Sequence, residues 1–284
     1  MTKFDGKTCL ITGAASGLGR ATAFAAAAKG AALVLTDITA DALAETAAEL
    51  RAAGATVPLA HAADVSDHSA VVGLAAHTFE AVSRVDIVMN VAGIATWGTV
   101  DKLTHQQWRR TVDINLMGPI HVIEEFVPPM IAAGRGGHLV NVSSAAGLFG
   151  LPWHAPYSAT KFGLRGVSEV LRFDLRRHKI GVSLVLPGAM ATPMVDSVDI
   201  AGVDRDNAAL QKAMRLFLRH AVTPEQAATA VVKGVERNRY WVYTSRDIQL
   251  AHWGQRYVPY GYTLAMRGLN SAMSGYAAKN ALVR

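Results

Sequence analysis

The feature that most limits what this chain can fold into is its alternation of short apolar runs with longer, Ala-rich helical patterns. Runs at 8–12, 32–36, 57–60, 85–91, 138–142 and 182–186 are predominantly apolar and read as strands buried on both faces. Amphipathic stretches lie between them, at about 17–29, 40–53, 67–82, 104–133 and 155–178. Such alternation through short connections predicts a doubly wound, mostly parallel α/β sheet in a single domain. No internal repeat or low-complexity linker interrupts the pattern before about residue 190. After Pro193, and through about His220, it lapses into a segment rich in Asp, Ala and Met. A helix at about 224–237 and a last strand at 240–244 follow. The expected organisation is therefore one α/β unit over 1–245, including the irregular segment 190–220, and an extension over 246–284.

With 284 residues, 51% of them hydrophobic and 18% charged, the chain can bury a sizeable core and is not disordered. Cys9 is its sole cysteine, which excludes a disulfide framework and points to a reducing cytoplasm. The first residues lack the apolar core of a signal peptide, and no apolar run approaches the roughly 18 residues of a membrane span. The net charge of +6 invites a nucleic-acid reading, so its position matters. Residues 1–224 hold 20 basic and 19 acidic side chains, whereas 225–284 hold 8 and 3. The excess belongs to the end of the chain and accompanies no recognition motif, so no nucleic-acid partner is expected. Arg172, Arg176, Arg177 and Lys179 read as a solvated helix end. The histidines show neither HxxxH nor HExxH spacing and no CxxC exists, so no metal is expected.

The first strand runs directly into Thr12-Gly13-Ala14-Ala15-Ser16-Gly17-Leu18-Gly19, and then into a helix. Glycines there let the backbone turn tightly and approach a pyrophosphate, whose charge the helix N-terminus holds. Strand two ends at Asp37, a carboxylate able to accept adenosine ribose hydroxyls and repel a 2′-phosphate. None of Ala14, Ala15, Ser16 or Ile38 supplies the cation such a phosphate needs, so NAD is favoured over NADP; a plain helix cap is the other use for Asp37. Further on, Tyr157 and Lys161 stand four apart on one helix face. An ammonium near the phenol favours phenolate and lowers a pKa of about 10, readying the tyrosine for proton exchange with an alcohol. Strand five ends in Ser143-Ser144 at the carboxyl edge of the sheet, where open α/β folds bind ligands.

Together these motifs resemble the short-chain dehydrogenases/reductases, the branch with a TGxxxGxG loop and a YxxxK centre, over about residues 5–245. The other matching motifs are Asp64-Val65, Asn90-Val91-Ala92-Gly93 with Asn115, and Pro187-Gly188 with Thr192. The resemblance implies a Rossmann-type fold in which Tyr157 is the general acid/base and Lys161 lowers its pKa and holds the nicotinamide ribose. Ser144 would polarise the substrate oxygen, and Asn115 would hold a water extending the proton path. The same resemblance gives the loop 13–19 (Gly13, Ser16, Gly17, Leu18 and Gly19), Asp64, Val65, Asn90, Ala92 and Gly93 to the dinucleotide, and Thr192, Pro187 and Gly188 to its nicotinamide. Val91 stands where family members often carry a second Asn, a departure that touches the adenosine side. A homodimer or homotetramer is implied, with helices 104–133 and 155–178 pairing across subunits.

Thr96, Trp97, Trp153, His154, Met190 and Met194 are expected to line the substrate site, with Val195, Val198, Met214, Leu216 and Phe217 contributing from the covering segment. Mostly apolar, this lining suits a hydrophobic or aromatic secondary alcohol or its ketone and offers no clear carboxylate anchor. A non-catalytic dinucleotide-binding scaffold, or a lyase or epimerase using transient oxidation, is the alternative on the same fold. Beyond 245, Trp253, Tyr257 and Tyr260 interleave with Arg246, Arg256, Arg267, Lys279 and Arg284, and Pro259 and Gly261 break the segment. Tyr262, Met266, Leu269, Met273 and Tyr276 then recur at helical spacing. That face could pack on its own or a neighbouring subunit, cover the substrate pocket, or lie on an anionic membrane surface.

Overall fold

The computed structural model describes residues 2–279 except 193, 195, 196, 204–206, 219 and 220, and only the backbone at 213 and 216–218. Val195, and the side chains of Leu216 and Phe217, named above for the substrate site, lie outside the described residues, as do Pro193, His220 and Arg284. Seven parallel strands form the central sheet: β1 (Thr8–Thr12), β2 (Ala32–Asp37), β3 (Leu59–Ala62), β4 (Ile87–Asn90), β6 (Gly137–Val142), β7 (Ile180–Leu186) and β9 (Trp241–Tyr243). A small parallel pair, β5 (Thr96–Trp97) with β8 (Asp199–Ile200), lies outside it. The order β3-β2-β1-β4-β6-β7-β9 reverses direction at β1 and β4. A cleft opens at such a switch point, above the carboxyl ends of the strands.

Successive strand residues feed opposite layers, which is why the strands read as mostly apolar runs without polar alternation. Cys9, Ile11, Leu33, Leu35, Ile87 and Met89 pack under α1 (Gly17–Ala27), α2 (Ala40–Ala52) and α8 (Pro224–Glu236). Leu10, Val34, Val88 and Leu139 face α3 (His68–Ala81), α5 (Gly118–Ala132) and the end of α6 (Ala155–Asp174). The third strand begins two residues later than its apolar run: Val57 is buried, but pairing with β2 starts at Leu59.

The long helix expected at 104–133 is three pieces. α4 (His105–Val112) opens on a capping box between Thr104 and Gln107, a π-helical turn spans Asp113–Met117, and α5 follows. Pro119 explains the change of pitch, because it has no N–H to give the carbonyl of Asn115 four residues back. α7 (Ala208–Leu218) precedes α8, and the extension forms α9 (Arg246–Tyr257) and α10 (Pro259–Lys279). Pro259 opens α10 rather than breaking it, as a proline in the first turn can. On α10 the inward side is Tyr262, Met266, Met273 and Ala277, while Leu269 and Tyr276 remain exposed. No helix of the described residues is long and apolar enough to cross a membrane.

One buried titratable group ties β6 to β7. His138 Nε2 lies 2.8 Å from the Ser183 hydroxyl, which itself donates to the carbonyl of Arg239. Burial lowers its pKa from 6.5 to about 4. Between those values the unfolded chain binds the extra proton, so stability is full above pH 6.5, falls as the pH drops from 6.5 to about 4, and levels off below that. The expected loss is on the order of 3 kcal/mol. Urea midpoints measured across that range should show it, and His138→Asn should flatten that part of the profile.

Candidate active site

A cavity of about 650 Å³ opens at the switch point and takes its walls from the carboxyl ends of β1, β2, β4, β6 and β7. Gly13, Ser16, Gly17, Leu18 and Gly19 line one end. Gly13 holds φ 68°, and a Cβ there would press on the backbone of Ala92. A Cβ on Gly19 would run into the carbonyl oxygen of Gly13. α1 begins at Gly17, its N-cap Ser16 makes no side-chain cap and its first turn has no acidic residue, so its leading N–H groups are left for an anion at the cavity. Thr12, quoted above only as part of the glycine motif, also braces the site, since its hydroxyl accepts the N–H groups of Val91 and Ala92, both at 3.0 Å.

Asp37, Ile38, Thr39, Asp64 and Val65 form the far wall. Asp37 accepts the Ala15 N–H through Oδ2 and the Thr39 N–H through Oδ1, each at 3.0 Å. A carboxylate has about four lone-pair sites, so it can hold the glycine loop and still accept ribose hydroxyls. Asp64 is fixed by Ser66, whose N–H and hydroxyl both donate to Oδ1.

At the other end Ser144, Tyr157 and Lys161 come together on the cavity wall. The Ser144 hydroxyl accepts the Ala146 N–H at 3.1 Å and lies close enough to the Tyr157 phenol to act on its pKa. Lys161 Nζ lies 5.6 Å from the centre of the Tyr157 ring and donates to the carbonyl of Val142 at 3.0 Å. Burial raises the Tyr157 pKa, with the Ser144 hydroxyl pulling it down. This reverses the lowered phenol expected from the i, i+4 spacing. The ammonium is itself buried, which depresses its pKa to about 8. Asn115 stands behind the wall: its Oδ1 accepts the Ile94 N–H at 2.8 Å and its Nδ2 donates to the Ile94 carbonyl at 2.9 Å. Gly93, which does line the cavity, lies against both Asn115 and Lys161.

Ala92, Pro187, Gly188, Met190, Thr192 and Met194 also line the cavity, and so do Trp97 and His154. The His154 ring sits 4.6 Å from Trp97 and 6.4 Å from Tyr157. Its Nδ1 meets the carbonyl of Pro152 at 2.6 Å. A carbonyl only accepts, so the proton is on Nδ1 and Nε2 keeps a lone pair.

Besides Asn115, four expected residues are not in the lining: Thr96, Trp153, Asn90 and Met214, the last of which packs instead against the cluster of Ala95, Val198 and Ile200. Thr96 alternates away from its neighbours Ala95 and Trp97, and its hydroxyl accepts from Thr111 at 2.9 Å. Trp153 occupies a left-handed turn (φ 65°) and offers its carbonyl to the Gly98 N–H, leaving the wall to His154. The buried Asn90 side chain donates to Asn141 Oδ1 at 2.9 Å, tying β4 to β6 instead of reaching a ligand. Conversely, Arg110 and Ile114, four apart on one helical face, line the cavity unforeseen, as do Phe149, Asp247 and Ile248. Arg110 supplies a cation where an anchor for anions was not expected.

A family profile for short chain dehydrogenases matches residues 7–201. The chain belongs to the short-chain dehydrogenase/reductase family. It is 37% identical over 242 residues to the Mycobacterium tuberculosis protein SadH, spanning 84% of this chain and 86% of that one. A short-chain dehydrogenase/reductase from Burkholderia phymatum in complex with NAD superposes with a TM-score of 0.83 at 31% identity, covering 90% of this chain and 95% of the other. A metagenomic short-chain oxidoreductase in complex with NADP gives 0.68 at 28% identity, covering 85% and 96%. The protein is thus an oxidoreductase of this family.

A nicotinamide dinucleotide, the cofactor the family uses, fits the residues present. The uncapped start of α1 suits a pyrophosphate, and Asp37 and Asp64 suit ribose and base. Pro187, Gly188 and Thr192 close the end beside Tyr157. In this family member the extension completes the site: Ile248 of α9 packs on Gly188, and the Tyr262 hydroxyl of α10 accepts the Gly150 N–H at 2.9 Å, beside Phe149. Gly19→Ala should weaken dinucleotide binding at least tenfold in a fluorescence titration. Gly73→Ala, on α3 with no atom near its Cβ, should leave it unchanged.

Proposed function

We propose that this enzyme oxidises a hydrophobic or aromatic secondary alcohol to its ketone with NAD, and catalyses the reverse reduction. The observation that carries the reading is the meeting of Ser144, Tyr157 and Lys161 at one end of a single cavity whose other end is acidic. When bound, the dinucleotide supplies the nicotinamide carbon that takes or returns the hydride.

The chain's own groups handle the proton. The Tyr157 oxygen takes the hydroxyl proton while the electrons of the O–H bond form the carbonyl and the carbinol hydrogen leaves with its pair. Ser144 donates to the same substrate oxygen and so holds the carbon in reach. Lys161, buried and close to the phenol, stabilises the tyrosinate that exists in passing. The path onward from Lys161 runs past Gly93 to the π-helical turn, where Pro119 leaves the Asn115 carbonyl able to hold a water. Trp97, Phe149, Leu151, Met194 and Val198 supply apolar walls for the substrate. Tyr157→Phe should lower kcat by about 10²–10⁴-fold with NADH affinity retained. Near-native turnover on a good alcohol would sink the mechanism. Tight NADH binding with no turnover across a broad panel of carbonyls would instead favour a scaffold role.

NAD preference rests on Asp37 and Asp64, with no cation near them in the cavity lining: Arg110 stands beside Ile114, and Lys161 beside Tyr157. Arg20 pairs with Glu49. Asp37→Ala should reduce the ratio of kcat/KM for NAD over NADP at least tenfold, and an unchanged ratio would remove Asp37 from the argument. We further infer a homo-oligomer paired through α6, where Phe162, Val170 and Phe173 are exposed along the helix. Phe173→Glu should reduce the mass measured in solution.

A further inference from the structure

Each helix of the extension has two different faces. α9 turns Ile248 and His252 inward, the first onto Gly188 and the second to the Tyr243 hydroxyl at 2.8 Å. Its outer face carries Arg246, Leu250, Trp253 and Tyr257 at spacings of four, three and four, which is one stripe of a helix. The stripe continues past Val258 into Tyr260, Leu264 and Arg267 of α10. Leu250 is 70% exposed, Trp253 63%, Tyr257 61%, Val258 52%, Tyr260 74% and Leu264 49%. Scattered apolar side chains on a surface are ordinary, but six large ones within 15 residues form a patch that calls for a partner.

Charge decides which partner. Over 246–279 the basic residues are Arg246, Arg256, Arg267 and Lys279, and the sole acidic one is Asp247, exposed at the edge of the cavity. A symmetric pairing of this face with a second copy would bring together two faces of the same net positive charge. An anionic lipid surface meets both needs, attracting the arginines and accepting aromatic rings at the headgroup boundary. We propose that the outer face of α9 and the start of α10 dock the protein on an anionic lipid surface. The helices lie in the interface and do not cross it, since neither is apolar enough to span. Docked this way, α9 alone separates the lipid from the cavity, a distance of about 10 Å. Such docking does not depend on the substrate assigned above.

The test is co-sedimentation of the full chain with vesicles of phosphatidylcholine, alone or mixed with phosphatidylglycerol. The protein should bind the mixed vesicles at low salt, release as salt rises, and ignore pure phosphatidylcholine. Replacing Arg246, Arg256 and Arg267 by Gln should lower the bound fraction at least tenfold, and Trp253→Ser with Tyr260→Ser should do the same. Both variants should keep NADH binding and the native mass in solution. The proposal is overturned if the wild type ignores anionic vesicles or if binding survives both variants. A fall in mass on replacing Trp253 and Tyr260 would also overturn it, assigning the face to a second copy.

Discussion

One side chain and one peptide hold the active centre together. The Asn115 amide accepts the N–H and donates to the carbonyl of Ile94, so the loop leaving β4 is clamped to the π-helical turn. Its Nδ2 also lies 3.5 Å from the Thr160 hydroxyl, which brings α6 into the same knot. Gly93 is thereby held against Lys161, and the walls on either side of the cavity keep their spacing. The Thr12 hydroxyl makes the matching stitch from the other side, between the glycine loop and residues 91 and 92. Neither bond is needed to form the sheet. Both are needed for the nucleotide end and the reacting end to face one another.

The reacting groups sit in an unfavourable medium for charge. Burial pushes the Tyr157 phenol up and the Lys161 ammonium down, so each is drawn toward its neutral form. That is a useful starting point for a proton carrier. A phenol that stays protonated can donate during reduction, and a nearby ammonium of pKa about 8 can give up its proton within reach of neutral pH. The same low polarity strengthens the Ser144 contact and the Val142 carbonyl's hold on Lys161. The i, i+4 spacing identifies the partners correctly, but simple Coulomb reasoning gives the wrong direction because it leaves out desolvation.

Much of the fold is legible because strands buried on both faces leave a plain apolar signature, and the glycine loop follows from β1 without ambiguity. Legibility stops where function depends on the direction of a single side chain. Thr96 and Trp97 are neighbours, yet pleating sends them to opposite sides. Trp153 adopts a backbone conformation rare for an aromatic residue, so its place in the lining passes to His154. Asn90 belongs to a family motif but spends its amide on Asn141. The third strand starts two residues past its apolar run because hydrophobicity marks burial, and Val57 is buried without pairing. Pro119 stands in the sequence as the sign of a broken helical ladder beside Asn115. The contribution of α9 to the cavity has no local sign, since Asp247 and Ile248 reach it only through tertiary packing.

The Tyr276 hydroxyl donates to the carbonyl of Ala209 at 2.9 Å, joining the last helix to α7. The adjoining Leu210 and Met214 pack in the cluster that includes Tyr157 and Met194. A helix next to the reacting end is thus tied to a residue nearly seventy places away in the chain. The packing around Tyr157 and Met194 therefore extends, through α7, into a segment that touches no reacting atom.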